Sequence, residues 1–167
     1  DGFCVERHRD SFLHLIKNHV DLVFANEDEA LSLYQTEDFD EAVERMRADT
    51  GLAAITRSEK GSVVIGPEGV VAVPAEPVDK VVDTTGAGDQ YAAGFLFGVS
   101  KGLPLETCAK LGHIAAAEVI SHYGPRPETP YADLARKAGP RPPWAWTEEF
   151  DALTKLHAAF AKHDRDG

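Results

Sequence analysis

The stretch Val82-Asp83-Thr84-Thr85-Gly86-Ala87-Gly88-Asp89-Gln90-Tyr91-Ala92-Ala93-Gly94-Phe95 decides the reading of this chain. The β-branched run from Val78 to Val82 predicts a buried strand that breaks at the Gly-Ala-Gly turn. An apolar, helix-forming segment follows to about Ser100. Small residues at such a turn let backbone N–H groups approach an anion, and the dipole of the following helix favours negative charge there. Asp89 adds a carboxylate where a phosphate would sit. That placement makes sense for a base held beside a phosphoryl group, a glycine-rich structural turn being the plain alternative.

Working outward, residues 4–18 carry Val5, Phe12, Leu13, Leu15 and Ile16 among charged neighbours and predict an amphipathic helix. Asp21 to Ala25 reads as a short strand running into the acidic helix start Asn26-Glu27-Asp28-Glu29. Acidic residues in a first turn also simply complement the helix dipole. A helix capped near Asp38 or Asp40 runs to before Gly51, and Leu52 to Thr56 is the next strand. This strand–helix–helix–strand order predicts a βαβ-type crossover and a parallel sheet. After the turn Arg57 to Gly61, strands Ser62–Ile65 and Val70–Val73 flank Gly66-Pro67-Glu68-Gly69 as a hairpin. A helix over Leu103 to Ile120 ends at Gly124-Pro125-Arg126-Pro127, and a short last helix covers Tyr131 to Lys137.

The 167 residues lie in the one-domain range, and 43% hydrophobic with 27% charged composition supports a packed core. A net charge of −11 without any Lys/Arg cluster disfavours nucleic acid and anionic membrane surfaces as partners. A phosphate site must then be made locally, by amides, a metal or one or two basic residues. Cys4 and Cys108 lack metal-ligand spacing and read as buried free thiols of a reducing compartment. No spanning apolar run or signal peptide is evident, so a soluble, cytoplasmic setting is expected. The first residue is not Met and the chain opens directly in a helix, the expectation being a fragment or a processed product.

Asp83 to Asp89, followed by an aromatic and Ala93-Gly94-Phe95, resembles the C-terminal signature of the ribokinase-like (PfkB-type) sugar and nucleoside kinases. The resemblance covers residues 1 to about 138. It implies the C-terminal half of a three-layer α/β/α sandwich with a mostly parallel sheet, here with a helical C-terminal tail. It further implies ATP as phosphoryl donor, with Asp89 as base and the amides of Gly86, Ala87 and Gly88 as anion hole. Asn26-Glu27-Asp28-Glu29 looks like the family's Asn-x-x-Glu element, whose glutamate, here Glu29, helps hold Mg2+ through water. Thr56-Arg57-Ser58-Glu59-Lys60-Gly61 is similar to the family's Thr-x-Gly-x-x-Gly turn along the nucleotide, with Ser58 in place of the first glycine. Arg57 or Lys60 supplies positive charge there, or the turn is merely solvated. Leu111 to Ala117 resembles the small-residue helix under the adenine, with His113 where many sugar kinases carry asparagine. Asp83 and Thr85 match positions near which many members bind a monovalent cation such as K+.

The Gly112-His113 pair, the opening Phe3 to Arg9, Val23 to Glu27 and Gly124 to Pro127 together resemble adenosine kinase-like members. Adenosine is therefore the first expected acceptor, and a ribose-type or other sugar the second. Family members run to roughly twice this length, so residues 1–138 hold the nucleotide half and lack the acceptor pocket. The Gly139 to Pro143 run reads as a linker spanning 139–147, and 148–167 as an amphipathic helix. Asp164 and Asp166 sit where an EF-hand loop would begin, and only four residues of its twelve are present, which leaves a frayed acidic terminus as the plain reading. A non-catalytic module joined to a calcium-binding region is the alternative to a kinase.

Overall fold

The computed structural model describes residues 2–131, 133 and 134. The element order is α1 (Gly2–Arg7), α2 (Arg9–Asn18), β1 (Val23–Asn26), α3 (Glu27–Tyr34), α4 (Phe39–Asp49), β2 (Ala53–Thr56), β3 (Ser62–Gly66), β4 (Gly69–Val73), α5 (Ala87–Ser100) and α6 (Leu105–Val119). The linker, the tail helix and the EF-hand-like terminus lie outside the described residues, as does the end of the short last helix begun at Tyr131.

The four strands form one sheet in the order β1-β2-β3-β4. β1 and β2 are parallel, joined by the predicted crossover through α3 and α4. β2–β3 and β3–β4 are antiparallel, so among the described strands the sheet is mixed rather than mostly parallel. The connections explain this. Five residues, 57–61, join β2 to β3, and Pro67-Glu68 alone joins β3 to β4. Links this short join only antiparallel neighbours, whereas a parallel pair needs a crossover of about a dozen residues.

Side chains alternate across the sheet with the period of two that a pleated strand imposes. Ala53 and Ile55 of β2, with Val63 and Ile65 of β3, pack against Ile16, Ala30, Leu33 and Met46 from α2, α3 and α4. Ala54 and Val64, on the opposite face, meet Tyr91, Phe95 and Cys108 from α5 and α6. Three layers result, helices on both faces of the sheet. α5 and α6 approach closely because a Cβ on Gly94 would lie 2.5 Å from the Leu111 carbonyl oxygen, and one on Gly112 2.8 Å from the Tyr91 ring.

Three expectations change. The helix over 4–18 is broken at His8 (φ −117°, ψ 23°) into α1 and α2. Val78 to Val82 is not a strand: among the described residues no strand lies alongside to pair with it, and Val81 is 55% exposed. Its tie to the fold is Val82 N–H donating to the Ile120 carbonyl at 2.8 Å. Cys108 is buried as expected, but Cys4 is exposed. No helix among the described residues is long and apolar enough to cross a membrane.

Candidate active site

The turn into α5 is held by named bonds. Asp83 Oδ1 accepts from the Thr85 amide at 2.9 Å, closing an Asx-type turn, and Oδ2 accepts from the Gly124 amide at 3.1 Å. These bonds, Thr85's above all, lower the Asp83 pKa below the usual carboxylate range. Gly86 caps α5 in the left-handed region (φ 81°), and a Cβ there would lie 2.5 Å from Pro125 Cβ. Glycine is thus required twice over, by conformation and by contact. The Ala87 amide bonds the Thr84 carbonyl at 3.2 Å, so of the three expected anion donors Ala87 is engaged in the turn. Gly86 and Gly88 make no such bond among the described residues. Asp89 stands exposed in the first turn of α5.

Beside this turn opens a cleft of about 680 Å³, bounded by the β2–β3 turn, the segment after β4, and α5 and α6. Of the predicted residues, Thr56, Ser58, Gly61, Ala87, Gly88 and His113 line it. Asn26, Glu29, Arg57, Asp83, Thr85, Gly86 and Asp89 stand outside its lining.

Ser58 takes φ 51°, in the left-handed region that glycine adopts most readily. That conformation costs a serine about 1–2 kcal/mol. Gly61 (φ 92°) passes so close to β4 that a Cβ would sit 2.0 Å from the Val73 carbonyl oxygen. The Arg57 guanidinium bonds Glu27 Oε1 at 2.6 Å and lies 3.7 Å over the Phe39 ring, outside the lining of the cleft. Lys60 joins the same glutamate at 3.4 Å. The hydrogen bond from Arg57, opposed by some burial, lowers the Glu27 pKa. Both cations of the turn thus share one carboxylate, and the described lining of the cleft holds no Lys or Arg.

Asn26 and Glu29 form a capping box: Asn26 Oδ1 accepts from the Glu29 amide at 2.8 Å, and Glu29 Oε2 accepts from the Asn26 amide at 2.9 Å. No cluster of three His, Cys, Asp or Glu side chains suited to a metal occurs among the described residues. A single carboxylate such as that of Glu29, outside the cleft lining, would suit Mg2+ only as a partner to waters and substrate oxygens. Asp83 directs both oxygens to amides and so holds the loop.

His113 is 7% exposed and belongs to a buried polar chain that sequence reading missed. The Tyr91 hydroxyl donates to Ser62 Oγ at 2.9 Å, and Ser62 Oγ lies 2.9 Å from His113 Nε2. The ring also bonds the Val73 backbone, and burial holds its pKa below the usual value. With the Tyr91 O–H given to Ser62, the Ser62 O–H goes to Nε2, which accepts it in the neutral ring. His113 offers the cleft its ring, not a free nitrogen. A serine facing inward from β3 was the available signal for this chain.

Comparison with known proteins agrees with this architecture. Residues 4–131 match the pfkB family of carbohydrate kinases. A cytidine kinase of Thermococcus kodakarensis is 40% identical over 119 residues, 70% of this chain and 42% of that protein. The crystal structure of adenosine kinase from Sinorhizobium meliloti aligns with a TM-score of 0.80 and 55% identity, over 83% of this chain and 43% of that one. That of a probable sugar kinase from Rhizobium etli aligns with a TM-score of 0.80 and 51% identity, over 83% of this chain and 42% of that one. The chain spans less than half the length of each. With the Gly86 turn, the β2–β3 turn and α6 in one cleft, the chain belongs to the pfkB carbohydrate kinase family.

Proposed function

We propose that these residues form the donor half of an ATP-dependent kinase that phosphorylates the hydroxymethyl group of a nucleoside, adenosine first, with a sugar acceptor second. The observation that carries this reading is the turn into α5, whose Thr84, Ala87 and Gly88 line the cleft, with Asp89 next in the chain. The likeness to the Sinorhizobium adenosine kinase favours adenosine, and the cytidine kinase and sugar kinase relatives keep the second acceptor class open.

The γ-phosphoryl group lies at the N-terminus of α5, where the dipole and the Gly86 and Gly88 amides meet its charge. Asp89 accepts the acceptor hydroxyl's proton as the oxygen attacks in line, a role that contributes about 10²–10⁴-fold. Mg2+, held near Glu29, supplies charge neutralisation of the ATP phosphates. Thr56, Ser58 and Gly61 run along the nucleotide, and the base rests on the small residues of α6 near His113.

The test has two parts. The chain is expected to bind ATP–Mg2+ by calorimetry, with Asp89→Asn binding equally, and to turn over no adenosine alone. In a protein carrying the whole domain, Asp89→Asn is expected to lower kcat by at least about 10²-fold. Retention of more than about a tenth of kcat would remove Asp89 from the role of base.

A further inference from the structure

The buried carboxylate of Glu118 takes no part in the chemistry above. It sits in α6 with its side chain 4% exposed, among alanines and valine, where an unpaired charge would be strongly unfavourable. Three groups satisfy it. Oε1 accepts from the Glu128 amide at 2.9 Å and the Thr129 amide at 2.7 Å, and Oε2 lies 3.3 Å from His122 Nε2. Glu118 thus ties down both ends of the return segment that leaves α6.

That segment backs the turn into α5. Its Gly124 amide bonds Asp83, its Pro125 ring fills the space beside Gly86, and its Pro125 carbonyl accepts from Gln90 Nε2 at 3.1 Å. Gln90 Oε1 in turn accepts from the Tyr131 hydroxyl at 2.6 Å. The turn therefore has its shape imposed from behind at Asp83, Gly86 and Gln90, by a segment whose own course is set at Glu118.

We propose that Glu118 is a positioning residue for the Gly86–Gly88 turn, acting through residues 121–131. The functional consequence rests on the kinase reading; the mechanical coupling does not. Amide hydrogen exchange of the 167-residue chain reads the coupling directly. Glu118→Met, which keeps the volume and removes the acceptors, is expected to speed exchange of residues 121–131 and 83–88 together. The rise is about tenfold, the equivalent of one or two lost hydrogen bonds, with β1 and β2 unchanged. Glu118→Gln keeps one acceptor oxygen and a folded chain, and is expected to give a smaller rise in the same two places. ATP–Mg2+ affinity by calorimetry is expected to fall in the same order.

A rise confined to 121–131, or one spread evenly through β1 and β2, overturns the proposal, as does an unchanged 83–88 in both variants. If the unaltered chain binds no ATP–Mg2+ while exchange couples the two segments, the kinase reading fails and the positioning role stands.

Discussion

Gly86→Ala brings two separable terms to one atom. The residue holds φ 81°, where an alanine is disfavoured by about 1–2 kcal/mol. Its Cβ would meet Pro125 Cβ at 2.5 Å, more than about 1 Å inside a comfortable carbon–carbon separation of 3.5–4.0 Å. Pro125 must retreat, and it is held by the Gln90 bond to its own carbonyl and the Asp83 bond to the Gly124 amide. Stretching one of these adds about 1 kcal/mol. The expected loss is about 2–3 kcal/mol, read as a lowered urea midpoint at unchanged slope. Pro125→Gly removes the colliding atoms, so the double variant should recover the contact part and leave the conformational part. A loss below about 0.5 kcal/mol, within the range of an ordinary surface change, would refute the reasoning. So would a double variant no more stable than the two losses added together.

Three further outcomes follow from the same geometry. Ser62→Ala strands both the Tyr91 hydroxyl and His113 Nε2, and should destabilise by about 1–3 kcal/mol in urea unfolding, more than Tyr91→Phe. Glu27→Gln and Arg57→Gln should be non-additive by about 1 kcal/mol in a double-mutant cycle, since each removes the same pair. Independent losses would instead place the Arg57 charge elsewhere. For His122, burial lowers the pKa, but bonds to Glu118 and the Tyr123 carbonyl, with the charges of Glu118 and Glu128, more than offset it and raise the value. Its stabilisation is then complete below the unfolded value of about 6.5 and lost as pH rises through the higher folded value. The stability gap between the unaltered chain and His122→Ala should shrink over that rise; a constant gap would contradict the pairing.

What sequence reading reached was local. Asp38 caps α4 as expected, accepting from the Asp40 and Glu41 amides, because capping is written within four residues. The Pro67-Glu68 hairpin and the start of α5 are likewise set by adjacent residues. Where expectation and structure part, the deciding partner is distant in sequence. Val78 to Val82 has strand-forming residues but no neighbouring edge, and pairing is a property of two segments. Arg57, read as a cation for the nucleotide or as merely solvated, pairs with Glu27 thirty residues earlier. His113 meets Ser62 across 51 residues, and Glu118 meets amides whose identity carries no sequence signal at all. The mixed sheet was readable in principle, since the 57–61 and 67–68 connections are too short for parallel pairing.

The pairing of Arg57 and Lys60 with Glu27, outside the cleft lining, bears on the rate of capture. Under the proposed function, ATP and this chain of net charge −11 are both anions, and the described cleft lining presents Glu59 and Glu76 with no Lys or Arg to draw the nucleotide in. On that reading, diffusional encounter is opposed at long range and favourable only at contact, where the amides of the turn would meet the phosphates. Salt, which slows capture at basic phosphate sites, should quicken it here by shortening the Debye length from ~30 Å at 0.01 M to ~8 Å at 0.15 M.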